Sequence, residues 1–147
     1  MTPRRLIVPM LMAALVLGAA ACDTTPTEPS TPRGEYSQTD VRVGTGAEAL
    51  PGRALTVNYT GWLYNPSGQD GKGTQFDTSI GKTPFPFTLG GTDVISGWNR
   101  AVVGMRVGGL RRFVLPPELA YGAAGSPPSI GENATLVFEV ELLGIEK

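Results

Sequence analysis

From Ala54 to Tyr64 the chain reads ALTVNYTGWLY, and Leu55, Val57, Tyr59 and Gly61 fall on every second position. Side chains alternate between the faces of a pleated strand, so this segment is predicted to be a half-buried strand. The end of the chain, ATLVFEVELLGIEK, repeats the pattern more clearly. Leu136, Phe138, Val140 and Leu142 share one face, and Val137, Glu139 and Glu141 mostly share the other. VRVGTG also alternates and stops at glycines, while TQFDTSI, PFPFTL and RRFVLP are short strand candidates. NPSGQDGKG between two of them is turn chemistry. Only GWNRAVVGMRVG has a helical period, with Trp98, Ala101, Val102 and Met105 at i, i+3, i+4 and i+7. Five or six strands and one short helix predict an α+β fold, a bent antiparallel sheet wrapped around that helix. The space between the helix and the concave face is then the natural cavity.

The stretch DVISGW, Asp93 to Trp98, enters this helix. Ser96 is expected to be the N-cap, with its hydroxyl accepting from the first turn. Val94 and Ile95 then lie in the entering loop and Trp98 in the first turn. One reading of these apolar residues is a hydrophobic staple with a core tryptophan. The other is the wall and floor of an apolar pocket.

Composition narrows the chemistry. The 147 residues suggest one domain, and 41% hydrophobic content is enough for a packed core. Twenty glycines and 13 prolines agree with a strand-rich fold of many turns. A formal charge of −1 without a basic run argues against nucleic acid as a partner. There is no histidine and a single cysteine. That removes Ser-His-Asp and Cys-His catalysis and His/Cys zinc sites. No phosphate-binding glycine motif is present either. No metal and no cofactor is expected.

The first 34 residues have a different character. MTPRR is a basic start, followed by 16 apolar or small residues, LIVPMLMAALVLGAAA. This pattern, residues 1–21, is that of a secretory signal, short for a membrane span of about 20 residues. Cys22 follows at once, which resembles a bacterial lipoprotein signal whose cysteine is acylated and becomes the first mature residue. The family usually has Leu three positions before that cysteine, and here it is Ala19. The alternative is an ordinary signal cleaved near Ala21. Losing Arg4 and Arg5 leaves 10 basic residues against 13 acidic ones, a formal charge of −3. Residues 22–34 are rich in Thr and Pro and are expected to be a linker. A domain over 35–147, tethered by lipid outside the cytoplasm and monomeric, is the organisation expected. The side of the periplasm or the cell surface on which it lies is left open.

NYTGWL, QFDTS, PFPFTLG, DVISGW, GMRVGG, LAYGAAG and ATLVFEVELL occur in this order. Together they resemble the FKBP family of peptidyl-prolyl cis-trans isomerases, over Tyr36 to Lys147. The resemblance implies a bent antiparallel sheet around a short helix, with an apolar pocket under that helix. It implies catalytic roles for Tyr59, Phe76, Asp77, Trp98, Tyr121 and Phe138. It implies substrate contacts from Phe85, Asp93, Val94, Ile95 and Ile130, with ligand hydrogen bonds at Tyr121 and at the backbone of Asp93 and Ile95. Phe87 and Phe113 are read as core, and Tyr36 is unassigned. The expected function is acceleration of X-Pro isomerisation during folding of exported proteins, without covalent chemistry. The expected partners are proline-containing polypeptides, with macrolide inhibitors as further ligands. The alternative is a binding module with weak turnover. Three features depart from the family pattern. The loop between Tyr59 and Phe76 is longer than in compact members. Lys82 is the one cation available to Asp77 where the family often has arginine. Ser126 and Ser129 stand in the long loop where many members have histidine and an apolar residue.

Overall fold

The computed structural model describes residues 33–147. The signal, Cys22 and nearly all of the linker therefore lie outside the described residues. Six strands form one sheet: β1 (Ser37–Arg42), β2 (Ala54–Tyr64), β3 (Lys72–Thr78), β4 (Phe85–Thr88), β5 (Leu110–Leu115) and β6 (Leu136–Ile145). One helix, α1 (Ser96–Val102), lies between β4 and β5 in sequence. The strand order is β1-β5-β6-β2-β3, and all pairings are antiparallel. The far edge of β2 is shared: β4 pairs with its first half and β3 with its second. The expected bent sheet around one short helix is the observed architecture.

The centre of the sheet is the β2–β6 ladder, running from Leu55 opposite Ile145 to Leu63 opposite Leu136. Its inward residues are the alternating ones. Leu55, Val57, Leu136, Phe138, Val140 and Leu142 are buried, each contributing about 1.5–3 kcal/mol of transfer free energy. The buried residues of α1, Gly97, Trp98, Ala101 and Val102, meet the same core.

Several local expectations differ from the structure. Ser96 is the first helical residue, and Ile95 in extended backbone precedes it without any side-chain cap. The helix stops at Val102, because Gly104 adopts φ +80° and the chain turns. Met105 is still buried, but on that turn. The helix end is held by Arg111 from β5, which donates to the carbonyls of Ala101 at 2.7 Å and Val103 at 3.1 Å. The same guanidinium, 7% exposed, forks onto Asp40 of β1 at 2.6 and 3.1 Å. The alternation in VRVGTG marks no buried face, since every residue of β1 is exposed and Val43 is 72% exposed. It is an edge strand anchored by Asp40.

The long loop after β2 contains a 3-10 turn, Gln69–Gly71, and Lys72 already belongs to β3. It folds back over the convex face. Lys72 lies 4.5 Å from the centre of the Trp62 ring and 2.7 Å from Glu139. Arg112 bridges Glu139 at 2.9 Å and Asp70 at 2.8 Å. Gly71 comes so close to Tyr64 that a Cβ there would meet its ring at 2.9 Å. Val137, on the face expected to be polar, is consequently fully buried.

Candidate active site

Trp98 is 4% exposed, and five rings surround it edge-on. Centroid distances are 5.3 Å to Tyr59, 5.4 Å to Phe138, 5.6 Å to Phe87, 6.0 Å to Phe85 and 6.2 Å to Phe113. Interplanar angles run from 75° to 86°, the edge-to-face geometry that aromatic quadrupoles favour. Trp98 N–H bonds Ile95 O at 3.0 Å, so the first helical turn sets the ring's position. Phe76 of β3 packs edge-on against Phe138 at 5.6 Å. It can do so because position 61 is glycine: a Cβ there would lie 2.5 Å from Phe76 and 2.9 Å from Phe138.

This assembly floors a cavity of about 340 Å³. Tyr59 comes from β2, Phe76 and Asp77 from β3, Phe85 from β4 and Phe138 from β6. Thr92, Asp93, Val94 and Ile95 form the side where the loop enters α1, and Tyr121, 41% exposed, completes the lining. A second hollow of about 390 Å³ adjoins Arg33–Tyr36, Arg100 and Leu119. Size alone would favour it. The convergence of aromatic rings with a polar pair marks the first instead.

The polar pair is Tyr59 and Asp77. The Tyr59 hydroxyl donates to Asp77 Oδ2 at 2.5 Å. Burial, then the hydrogen bond and charge of Asp77, push the phenol well above its ordinary pKa, so Tyr59 stays protonated. Asp77 Oδ1 accepts from Thr78 N–H at 2.8 Å, and Lys82 Nζ stands 3.9 Å away. Lys82, the one cation available to Asp77 among the described residues, therefore pairs with it only loosely. Buried Ser79 fixes Tyr59 from behind: its hydroxyl accepts from Tyr59 N–H at 2.9 Å, and its own N–H donates to Tyr59 O at 3.0 Å.

The rim loop is tied twice. Thr88 N–H donates to Asp93 Oδ2 at 3.1 Å. Asn99 of α1 accepts from Gly90 N–H at 2.8 Å and donates to Gly91 O at 2.9 Å. Among the described residues, no group of three His, Cys, Asp or Glu side chains could hold a metal. The site offers shape, apolar surface and a few oriented dipoles.

A model of the FKBP-type peptidyl-prolyl cis-trans isomerase matches residues 46–143. The chain belongs to this family. An FK506-binding protein of Neisseria meningitidis is 45% identical over 107 residues, 72% of this chain and 92% of that protein. The rat peptidyl-prolyl cis-trans isomerase FKBP4 is 50% identical over 103 residues, 69% of this chain. The 39 kDa FK506-binding nuclear protein of Drosophila melanogaster is 45% identical over 80% of this chain. The chain spans only 21% of the rat protein and 31% of the fly protein. Among solved structures, the crystal structure of AtFKBP13 superposes with a TM-score of 0.65 at 32% identity, covering 76% of this chain and 93% of that one.

Of the residues that the FKBP resemblance nominated, the structure brings ten to the cavity: Tyr59, Phe76, Asp77, Phe85, Asp93, Val94, Ile95, Trp98, Tyr121 and Phe138. Ile130 is not among the lining residues. It is 4% exposed, belongs to the core cluster and does not line the cavity. Its N–H and C=O are exchanged with those of Ser126 at 3.0 and 2.9 Å, which closes a small hairpin and turns Ile130 inward as its plug. Thr92 and Asn99 were not singled out from the sequence. The one available signal for Asn99 was a helix residue with both donor and acceptor next to a Gly-Gly loop.

Proposed function

We propose that the chain accelerates cis-trans isomerisation of X-Pro bonds in exported polypeptides, by binding the twisted amide better than either planar form. Amide resonance sets a rotational barrier of about 18–20 kcal/mol, and before proline both isomers are populated. No bond has to break. In the twisted state the nitrogen regains its lone pair and the polar resonance form is lost, which an apolar site tolerates better than water. A rate factor of about 10⁵ requires only about 7 kcal/mol of such preference. The observation that carries this reading is the set of rings edge-on to Trp98, flooring a cavity whose polar side is the Tyr59–Asp77 pair.

In this reading Trp98, Tyr59, Phe85 and Phe138 hold the prolyl ring, and Phe76 supports Phe138. Ile95 N–H and Tyr121 O–H take flanking carbonyls, and Asp77 orients Tyr59 beside the bond. Relatives named FK506-binding proteins support the same cavity as a macrolide site. The leader pattern and Cys22 support export with a lipid anchor, and clients that fold outside the cytoplasm.

The test is cis-trans exchange in a Leu-Pro-Phe peptide, followed by NMR exchange spectroscopy with the purified protein and its Asp77→Ala and Tyr121→Phe variants. Exchange well above background, reduced in both variants, is expected. Binding without faster exchange would make the chain a proline-peptide binding module. For the anchor, a radiolabelled fatty acid fed to expressing cells should label the chain and fail to label Cys22→Ala.

A further inference from the structure

The cavity has a sign. Two acidic residues, Asp77 and Asp93, line it, and no lysine or arginine does. Elsewhere on the sheet, acids are answered closely. Asp40 is forked by Arg111, Glu139 lies between Lys72 and Arg112, and Glu141 meets Arg42 at 2.5 Å. Asp93 has no cation within 4 Å among the described residues, and it is exposed. Its Oδ2 accepts from Thr88 N–H, while Oδ1 accepts nothing among the described residues. Asp77 has only Lys82, at 3.9 Å, with that side chain 66% exposed. Both residues line a cavity walled by aromatic side chains, and a concave opening lined by one sign of charge focuses the field at its mouth.

We propose that this cavity prefers polypeptides carrying a lysine or arginine within two residues of the proline, and that the Asp93 side chain is the group that reads this charge. The carboxylates are not a separate site; they give a polarity to a cavity already shaped for an apolar ring. The inference rests on the isomerase reading and names its substrate class. A cation about 6 Å from one carboxylate in a water-like medium gains roughly a threefold preference at low salt, and an anion loses as much. Lys-bearing substrates should thus exceed Glu-bearing ones by about tenfold, with Gln-bearing ones between.

The experiment compares kcat/KM by NMR exchange for two peptide series at low salt. In Ala-Xaa-Pro-Phe-Ala the charge precedes the proline; in Ala-Leu-Pro-Phe-Xaa-Ala it follows. Xaa is Lys, Gln or Glu. At least one series should rank Lys over Gln over Glu, and 1 M salt should flatten the ranking, since screening acts within about 3 Å there. Asp93→Asn keeps an acceptor for Thr88 N–H and removes only the charge. It should shrink the Lys-to-Glu ratio about tenfold, to near unity. Equal rates in both series, or the reverse order, would overturn the preference while leaving isomerase activity intact. An unchanged ranking in Asp93→Asn would overturn the role of Asp93. If the Gln peptides are bound but not turned over, the isomerase reading fails alone. The Kd values of the same peptides then decide the charge preference.

Discussion

Gly97 is the second residue of α1, and replacing it by alanine sets two effects against each other. In a helix alanine is favoured over glycine by up to about 1 kcal/mol, because the unfolded chain loses freedom. The packing opposes this. A Cβ at position 97 would lie 2.5 and 2.6 Å from the two methyl groups of Leu115, and 2.6 Å from the carbonyl oxygen of Leu119. Leu115 is completely buried, and the Leu119 oxygen is backbone, so neither yields cheaply. Overpacking of this kind typically costs about 1–3 kcal/mol. The net expectation for Gly97→Ala is a loss of about 1–2 kcal/mol, read as a lower urea midpoint at unchanged slope. The helix must also lift from β5, carrying Trp98 with it. A displacement near 1 Å at a reacting site can lower turnover up to about a hundredfold, so peptide exchange should fall by more than the folded fraction explains. Leu115→Ala alone should cost about 2–5 kcal/mol by leaving a cavity. Combined with Gly97→Ala it removes two of the three close contacts. The double variant should therefore be more stable than the sum of the single losses by about 1 kcal/mol. A neutral or stabilising Gly97→Ala, with exchange unchanged, would refute this account of the helix seat.

Arg111→Ala should lose about 1–3 kcal/mol in a denaturant titration, because two helix-end carbonyls are left without their donor while the half-exposed Asp40 is re-solvated; Arg111→Lys should recover only part, lacking the fork. Lys82→Ala should change stability by less than about 0.5 kcal/mol, since its pair with Asp77 is long and exposed; a larger loss would mean the pair is tighter than 3.9 Å. Burial alone would raise the Glu139 pKa, but hydrogen bonds from Lys72 and Arg112 outweigh it and hold the carboxyl below its ordinary value. Its contribution to stability is therefore complete above the unfolded pKa of about 4.3 and is lost as pH falls through the lower folded value. Urea midpoints from pH 6 to pH 3 should decline more steeply in the wild type than in Glu139→Gln. Parallel declines would dismiss Glu139 as a source of acid sensitivity.

What the sequence determined by itself were the features written in local order. The alternation of ALTVNYTGWLY marks a strand that the structure bounds at the same two residues, Ala54 and Tyr64. The alternating apolar positions of the last strand are all buried. The nominated pocket residues were legible because seven short motifs recur in order, and ten of the eleven meet at one cavity. Tertiary structure decided everything that depends on partners far along the chain. Asp40 and Arg111 are 71 residues apart, and Lys72 and Glu139 are 67 apart, so no local period announces either pair. Those pairs hold the end of α1 against β5 and keep the long loop over Val137, a residue whose strand position alone suggested exposure. Ile130 entered the core for the same kind of reason: its hairpin with Ser126 chooses which way the side chain turns. A sequence states which residues prefer a strand, a turn or burial. The long-range contacts then select which face each one presents, because burying apolar surface and satisfying each buried donor must succeed together.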